Sequence, residues 1–252
     1  MKRHQGLLLF PLLLLLSAPA LSQEPAVQIS PDRPDFANGM QIVPLGHVEV
    51  EGGGTLLRSG GTTAFSAGEL TVRVPLATRL ETRIQVFGYS WTGEAESPRG
   101  VVDPLVDVKW KLFDSDDTDF GLIGGTAIPA GARSERAKHF QPYAAFALDQ
   151  ALGERLSVTV NLGGAYLSGG GGQFVEGYGG FSLALQLSKV VTAYGEAFGW
   201  SRQAEDGGGV GAVGTGLQIL LTNRFMLDAR IGTGLGSASP DLVLGVGASY
   251  LF

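Results

Sequence analysis

The sequence contains no cysteine, few charged residues and, after its first 22 residues, no long apolar run. Without cysteine, no wrong disulfide can form while the chain crosses an oxidising compartment. Charged residues make up 17% of the chain, against about 25% in ordinary soluble domains. No later run reaches the roughly 18 apolar residues that a membrane-spanning helix needs.

Basic residues are also scarce relative to acidic ones. The formal net charge is −6, and no cluster of lysine and arginine emerges along the chain. Nucleic-acid-binding surfaces need such a cluster, so nucleic acid is not expected as a partner.

Residues 1–22 are typical of a secretory signal peptide. Lys2 and Arg3 form a positive start, and an apolar run follows from Leu7 to Leu16. Small residues then predict cleavage after Ala20 or Ser22. No cysteine follows the leader, so a lipid anchor is not expected. The pattern predicts an exported chain without a helical anchor.

Charged and apolar side chains alternate along residues 69–113. Apolar residues such as Val72, Ile84 and Val108 occupy even positions. Outside 92–99, charged residues occupy only odd positions: Glu69, Arg73, Arg79, Glu81, Arg83, Asp103, Asp107, Lys109 and Lys111. Successive side chains of a strand point to opposite faces, whereas a helix of period 3.6 would mix the two sets. Each segment is therefore predicted to be a strand with one charged and one apolar face.

The alternation continues to the C-terminus in about twelve segments, each near the 9–11 residues of a tilted membrane strand. The predicted strands are 45–57, 66–76, 79–91, 100–113, 120–130, 141–149, 155–166, 174–187, 190–200, 210–220, 224–235 and 241–252. Long connections (58–65, 92–99, 131–140, 167–173, 201–209 and 236–240) alternate with tight ones. This alternation is typical of outer-membrane barrels. The sequence predicts an all-β protein, a transmembrane antiparallel up-and-down β-barrel of about 12 strands over residues 45–252.

A barrel is favoured over a soluble sandwich because closure removes strand edges. In lipid, each unpaired backbone group at an edge costs several kcal/mol. The even-numbered apolar face then contacts lipid, and the charged face lines the lumen. A sandwich would need polar, turn-rich surroundings that most segments lack.

The last strand has an apolar residue at every second position back from Phe252, including Tyr250. This ending resembles the strand by which the barrel assembly machinery recognises bacterial outer-membrane proteins. Aromatic residues also collect near predicted strand ends. Two interfacial girdles are therefore expected, one with Trp110, Phe120, Phe225 and Phe252, the other with Trp91, Tyr166, Phe174 and Trp200.

Residues 23–44 are irregular, since Pro25, Pro31, Pro34 and Pro44 argue against a central strand or a helix. Two interpretations stay open for this segment. It is either a periplasmic tail or a plug that folds into the mouth of the barrel.

Eight charged residues are expected to converge on one wall of the lumen. They are Arg73, Arg79, Glu81, Arg83, Asp103, Asp107, Lys109 and Lys111. As a constriction they would select what passes, and Arg83 and Lys109 would then favour anions. As a ladder of cross-strand ion pairs they would only fill a narrow barrel. In either case, alanine at Arg73 or Lys109 is expected to disturb lumen contacts only.

The sequence contains no recognisable motif for an enzyme. His47 and His139 are the only histidines after the leader, and nothing orients a Ser134–His139 or Glu135–His139 dyad. Gly209-x-Gly211-x-x-Gly214 lacks the strand–helix–strand context of a dinucleotide site. The acidic run 114–119 lacks a calcium loop's glycine and distal glutamate. No catalytic residue, cofactor or metal is expected.

Several short motifs resemble the outer-membrane transporter family named for the meta-pathway of phenol degradation. They are Asp32-Arg33-Pro34-Asp35, Val43-Pro44-Leu45-Gly46-His47 leading to Glu49 and Glu51, Arg73-Val74-Pro75-Leu76, Arg79-Leu80-Glu81-Thr82-Arg83, Asp103 through Lys109 to Leu112, Pro129-Ala130-Gly131 and Leu152 to Ser157. The resemblance implies a barrel in the outer membrane of a Gram-negative bacterium, surrounded by lipid. It further implies a passive channel for small hydrophobic or aromatic solutes. A structural or surface-interaction barrel with a blocked lumen, and then a lipid hydrolase, are the alternatives.

The fold makes a first testable prediction. Unboiled protein in detergent should migrate differently from boiled protein on a gel and give a β-type circular dichroism spectrum, because closed barrels resist detergent until heated. A monomer that stays soluble without detergent would contradict the barrel.

Overall fold

The computed structural model describes residues 27–34, 36–93, 99–133, 136–168, 172–236 and 239–252. The predicted signal peptide lies outside these residues, as do Ser134 and Glu135. The strands are β1 (Glu49–Ser59), β2 (Thr62–Ala77), β3 (Leu80–Val86), β4 (Tyr89–Thr92), β5 (Gly100–Val101), β6 (Leu105–Asp114), β7 (Thr118–Ala127), β8 (Gln141–Ala151), β9 (Leu156–Ser168), β10 (Gln173–Gln186), β11 (Val191–Trp200), β12 (Val210–Thr222), β13 (Phe225–Leu235) and β14 (Leu242–Leu251). No helix in the described part of the chain is long and apolar enough to cross a membrane.

The strands form one closed antiparallel sheet. β1 pairs with both β2 and β14, so the sheet closes on itself. β3 and β4 both pair with β2 and form one barrel strand, interrupted at Phe87 and Gly88. β5 and β6 form another, interrupted at 102–104, where Pro104 offers no N–H. The predicted barrel of about twelve strands is confirmed as a closed twelve-stranded barrel.

Two boundary predictions were wrong. The connection 58–65 is not a long loop, because the first hairpin turns on Gly60 and Gly61 alone. Their φ angles of 56° and 88° are the positive values that a two-residue hairpin turn requires. The first strand begins at Glu49 rather than at Leu45, since Pro44 and His47 form a turn closed by the His47 N–H.

The two faces follow the predicted parity. Arg73, Glu81 and Lys109 are 0% exposed on the inner face. Val108 and Trp110, the neighbours of Lys109 in sequence, are 39% and 52% exposed on the outer face. Apolar side chains thus face outward and charged ones inward, the reverse of a soluble protein. The only apolar clusters of the described interior are small, centred on Ile29, Val43 and Leu251 and on Met40, Ile123 and Ala147.

This parity makes a second prediction. Val108→Arg should lower the free energy of unfolding by about 2–4 kcal/mol, because a cation near the bilayer midplane is costly. Urea unfolding of protein in lipid vesicles measures the loss. Leu152→Arg, in the exposed turn between β8 and β9, serves as control and should cost only about 0–1 kcal/mol. Equal losses would reverse the inside–outside assignment.

Candidate functional site

The described residues of the segment 27–44, which are 27–34 and 36–44, lie inside the barrel. The Ile29 N–H donates to the carbonyl of Asn223 in the β12–β13 turn, and Val43 packs on Leu251, so both ends of the segment lie at the end with the short turns. Between them, Phe36 stacks on Phe198 of β11 with ring centroids 4.4 Å apart. The segment therefore rises into the lumen and returns before β1 begins.

The wall holds this segment chiefly through main-chain groups. Carboxylates accept the N–H of Ser30 (Glu49, 3.3 Å), Asp32 and Arg33 (Glu51, 3.1 and 3.0 Å), Phe36 (Glu196, 2.7 Å), Met40 (Asp149, 2.6 Å) and Val43 (Glu81, 2.8 Å). The side-chain oxygen of Asn161 accepts the Asn38 N–H at 2.7 Å. Hydrogen bonds to carboxylates are among the stronger ones. The irregular backbone is thus satisfied by the barrel wall instead of by secondary structure.

Arg73 is the centre of the charged cluster. Its Nη1 lies 3.0 Å from Glu49 and 3.3 Å from Glu51, and its Nε lies 2.8 Å from Glu81. The same guanidinium donates to the carbonyls of Ser30 and Gln41, both at 2.7 Å. Three strands and both arms of the segment therefore meet at one buried side chain.

Asp32 brings a carboxylate from the segment into this cluster. Its oxygens lie 2.7 Å from Arg83 Nη1 and 2.8 Å from Lys109 Nζ. Burial alone would raise the pKa of Asp32, but the charges of Arg73, Lys109 and Arg83 outweigh burial and hold the pKa well below its usual range. Asp32 is therefore an ionised anchor.

Arg33 lies in a niche made by two glycines. A Cβ at Gly53 of β1 or at Gly247 of β14 would collide with its guanidinium. The guanidinium pairs with Glu69 at 3.1 Å and Asp228 at 3.3 Å. Glycine is needed at both positions because any side chain there would displace this arginine.

The structure brings together five of the eight residues predicted to line the lumen, namely Arg73, Glu81, Arg83, Asp107 and Lys109, and places the other three elsewhere. Arg83 Nε donates to Asp107 at 2.7 Å, and Nη1 of the same arginine contacts Asp32 and Asn38 of the segment. Lys111 pairs with Asp119 at 2.9 Å, nearer the short-turn end. Asp103 accepts the N–H of Gly131 and Ala137 at 2.7 and 2.8 Å, and so anchors the outer loop.

Arg79 does not line the lumen, contrary to the prediction. It lies in the β2–β3 turn with its side chain 53% exposed, 3.8 Å from Asp114, because β2 ends at Ala77 and the turn takes the next two residues outside the barrel.

The expected preference for anions is also not supported. Each cation of the cluster is matched by carboxylates, and acidic side chains are in excess along the lumen. The inward carboxylates are Glu49, Glu51, Glu69, Glu81, Asp103, Asp107, Asp119, Asp149, Glu176, Glu196 and Asp228, against Arg73, Arg83, Lys109, Lys111 and Arg230. The wall is therefore negative overall.

A vestibule of about 940 Å³ opens above the segment toward the long loops. Tyr143, Tyr178 and Trp200 line it together with Arg136 and Lys138 of the outer loop. The Tyr143 hydroxyl donates to Asp107 at 2.6 Å, which links the vestibule to the cluster. Its volume falls within the range of small-molecule pockets, about 300–1,000 Å³.

Two residues expected in the outer aromatic girdle were placed wrongly. Phe174 is 7% exposed, and Trp200 packs inside against Phe36 with centroids 4.9 Å apart. Phe198 and Trp200 share the parity of the buried Glu196 on β11, and this signal could have placed them in the lumen. The aromatic group of Phe36, Phe198 and Trp200 was not found from the sequence.

No catalytic arrangement is visible among the described residues. His139 is exposed in the outer loop, and His47 lies at the opposite end, with its Nδ1 3.4 Å from the carbonyl of Leu45. Gly211 and Gly214 lie within β12, so the fingerprint-like spacing opens no helix. No cluster of three metal-ligating side chains occurs in the described ranges.

Comparison with known proteins found similarity in sequence and in fold. A model of the family described as "Putative MetA-pathway of phenol degradation" matches residues 31–252. An outer membrane channel from Pseudomonas putida F1 superposes with a TM-score of 0.68 at 15% identity, over 89% of this chain and 100% of that chain. The NanC porin and the KdgM porin give TM-scores of 0.58 and 0.52 at 10% and 11% identity, each over 81% of this chain and 98% of its own. The comparison with curated proteins gave no significant match. At these identities the structural likeness shows the fold.

A third prediction concerns Arg73. Arg73→Ala should lower the free energy of unfolding by about 3–5 kcal/mol, because it leaves Glu49, Glu51 and Glu81 buried without their cation. The earlier expectation of a mild effect is thereby replaced. Arg79→Ala, the matched control in the exposed turn, should leave stability unchanged. Urea unfolding in vesicles measures the free energy of unfolding of both variants. Equal losses would contradict the claim that Arg73 and its carboxylates stabilise the barrel.

Proposed function

The chain belongs to the family of the MetA pathway of phenol degradation, and on this basis we propose that it is a passive channel in the outer membrane of a Gram-negative bacterium. Small hydrophobic or aromatic molecules are its proposed solutes. The proposal agrees with the fold, which closes the sheet into a barrel and presents apolar side chains outward. Such a wall can stand only in lipid.

The observation that carries the proposal is the vestibule beneath the long loops. Its wall combines aromatic rings with a few polar groups, as small-molecule sites do. Trp200, Tyr178 and Leu167 supply apolar surface, while Arg136 and Lys138 lie toward the outside. A solute that enters there meets the segment 27–44 before it can reach the other end.

Passage therefore requires the segment to move. Its contacts with the wall are mostly hydrogen bonds and ion pairs, and its apolar packing involves Val27, Ile29, Met40, Val43 and the ring of Phe36. Water can replace polar partners once the lumen is hydrated, so displacement of the segment exposes little apolar surface. A segment held in this way suits a gate better than a permanent core.

A blocked structural barrel is the second candidate function. The matched charges around Arg73 favour it, because a fully paired buried cluster resists rearrangement. An enzymatic role is not proposed, since no nucleophile with an oriented base occurs among the described residues. The exposed rings of Tyr250 and Phe252, 41% and 62%, support the proposal that the last strand binds the barrel assembly machinery.

A fourth prediction separates channel from blocked barrel. Deletion of residues 27–40 should raise single-channel conductance in planar bilayers several-fold, because it empties the lumen while β1 to β14 remain. The open pore should prefer cations, since inward carboxylates outnumber cationic side chains. Small aromatics should then enter liposomes at a rate linear in concentration.

A reversible lock is the matched control. An ideal Cβ at Gly180 lies 3.6 Å from the Cβ of Ala37, within the 3.5–4.5 Å range of disulfides, and the chain has no other cysteine. The double variant Ala37→Cys with Gly180→Cys should show no conductance while the disulfide is formed, and it should conduct once the disulfide is reduced. Liposomes that stay equally tight with the deletion variant and with both redox forms would leave only the structural barrel.

A further inference from the structure

A second cavity, of about 310 Å³, lies beside the segment against the wall formed by β11 to β14 and β1. Its lining is mainly apolar and includes Leu57, Phe198, Val210, Ala212 and Val243. Phe36, Trp200 and Arg230 line both this side cavity and the vestibule. The side cavity is thus reached from the vestibule past Phe36.

Glycine and alanine create this space. Ala212 of β12 and Gly232 of β13 occupy inward positions that carry larger side chains elsewhere in the barrel. The three atoms nearest to a Cβ built at Gly232 belong to the backbone of β12, with the carbonyl oxygen of Val213 at 2.9 Å. Gly232 and Ala212 both line the side cavity, where larger side chains would take up its space.

One wall of the side cavity is aromatic. The rings of Phe36 and Phe198 are stacked 4.4 Å apart at 14°, and Trp200 meets both edge-on at 4.9 and 5.5 Å. Aromatic pairs of this kind are worth about 0.5–1.5 kcal/mol beyond the area they bury. A ring that enters the cavity finds partners in both orientations.

Arg230 supplies the polar end. Its Nη1 donates to the carbonyl of Pro34 at 3.0 Å and its Nη2 to the Thr55 hydroxyl at 3.3 Å. Its buried Nε has no hydrogen-bond partner among the described residues, and no carboxylate of these residues lies within 4.0 Å of the guanidinium, unlike the guanidinium groups of Arg33, Arg73 and Arg83. A guanidinium with unused donors is a strong site for a carboxylate.

We propose that the side cavity binds a small aromatic carboxylate, with its ring against Phe198 and Trp200 and its carboxylate on Arg230. This inference rests on the proposed channel function, for which it names a solute class, and the binding depends on the local positive charge of Arg230 within a wall that is acidic overall. Glu196 also lines the cavity, but its carboxylate accepts the Phe36 N–H at 2.7 Å. The cationic rim of Arg136 and Lys138 attracts anions toward the vestibule.

The test uses full-length protein in detergent and the fluorescence of Trp200. Trp91→Phe and Trp110→Phe leave Trp200 as the only tryptophan, and benzoate, benzyl alcohol, benzylamine and cyclohexanecarboxylate are titrated. Benzoate should bind at least tenfold more tightly than benzyl alcohol and several-fold more tightly than cyclohexanecarboxylate. Arg230→Met should weaken benzoate at least tenfold without changing benzyl alcohol, and Arg230→Lys should restore part of the loss.

Two further variants complete the design. Ala212→Leu, which fills the cavity, should weaken all four ligands, and Arg155→Met, an exposed turn cation, should change none. The gel shift on boiling verifies that each variant is folded. Equal binding of benzoate and benzyl alcohol, preference for benzylamine, or unchanged benzoate binding in Arg230→Met would overturn the inference. If the protein conducts but does not bind benzoate, only the proposed carboxylate site is refuted. If it binds benzoate but never conducts, only the proposed channel function is refuted.

Discussion

The structure depends on the burial of one cation. Arg73 has no access to water, and an unmatched charge in that position would cost several kcal/mol. Its partners come from β1, β3 and the segment, so a shift of any of these parts relative to β2 leaves charges unpaired unless water replaces the lost partners. Strand register and the position of the segment are thus tied to a single guanidinium.

A polar interior follows from an apolar exterior. In lipid the outer face gains nothing from burial inside the protein, and the inner side chains must therefore fill the lumen with groups that satisfy one another. Carboxylates do most of this, because each can accept several hydrogen bonds. They bind arginine and lysine of the wall on one side and backbone N–H groups of the segment on the other. The segment consequently supplies the hydrogen-bond donors that the carboxylates of the wall require, and it does not act as an apolar core.

The sequence revealed the barrel because period-2 alternation survives in every strand. It could not place Arg79, since a shift of one or two residues at a turn decides between inside and outside. It also gave no sign that Gly53 and Gly247 flank Arg33, because a niche formed by strands far apart in sequence leaves no local pattern. Trp200 was misplaced because an aromatic residue at a strand end is compatible both with an outer girdle and with the lumen. Only its position on the same face of β11 as Glu196 distinguishes the two.

The contacts of the segment have a consequence for sequence change. Ser30, Phe36, Met40 and Val43 are held by their backbone N–H groups, which every residue except proline possesses. Substitution at Ser30 or Met40 leaves those hydrogen bonds available, whereas insertion of one residue between Arg33 and Val43 moves each later donor past its carboxylate. At Ser30 the spacing of the segment is therefore under tighter constraint than the side-chain chemistry, whereas Met40 and Val43 are also held by apolar packing.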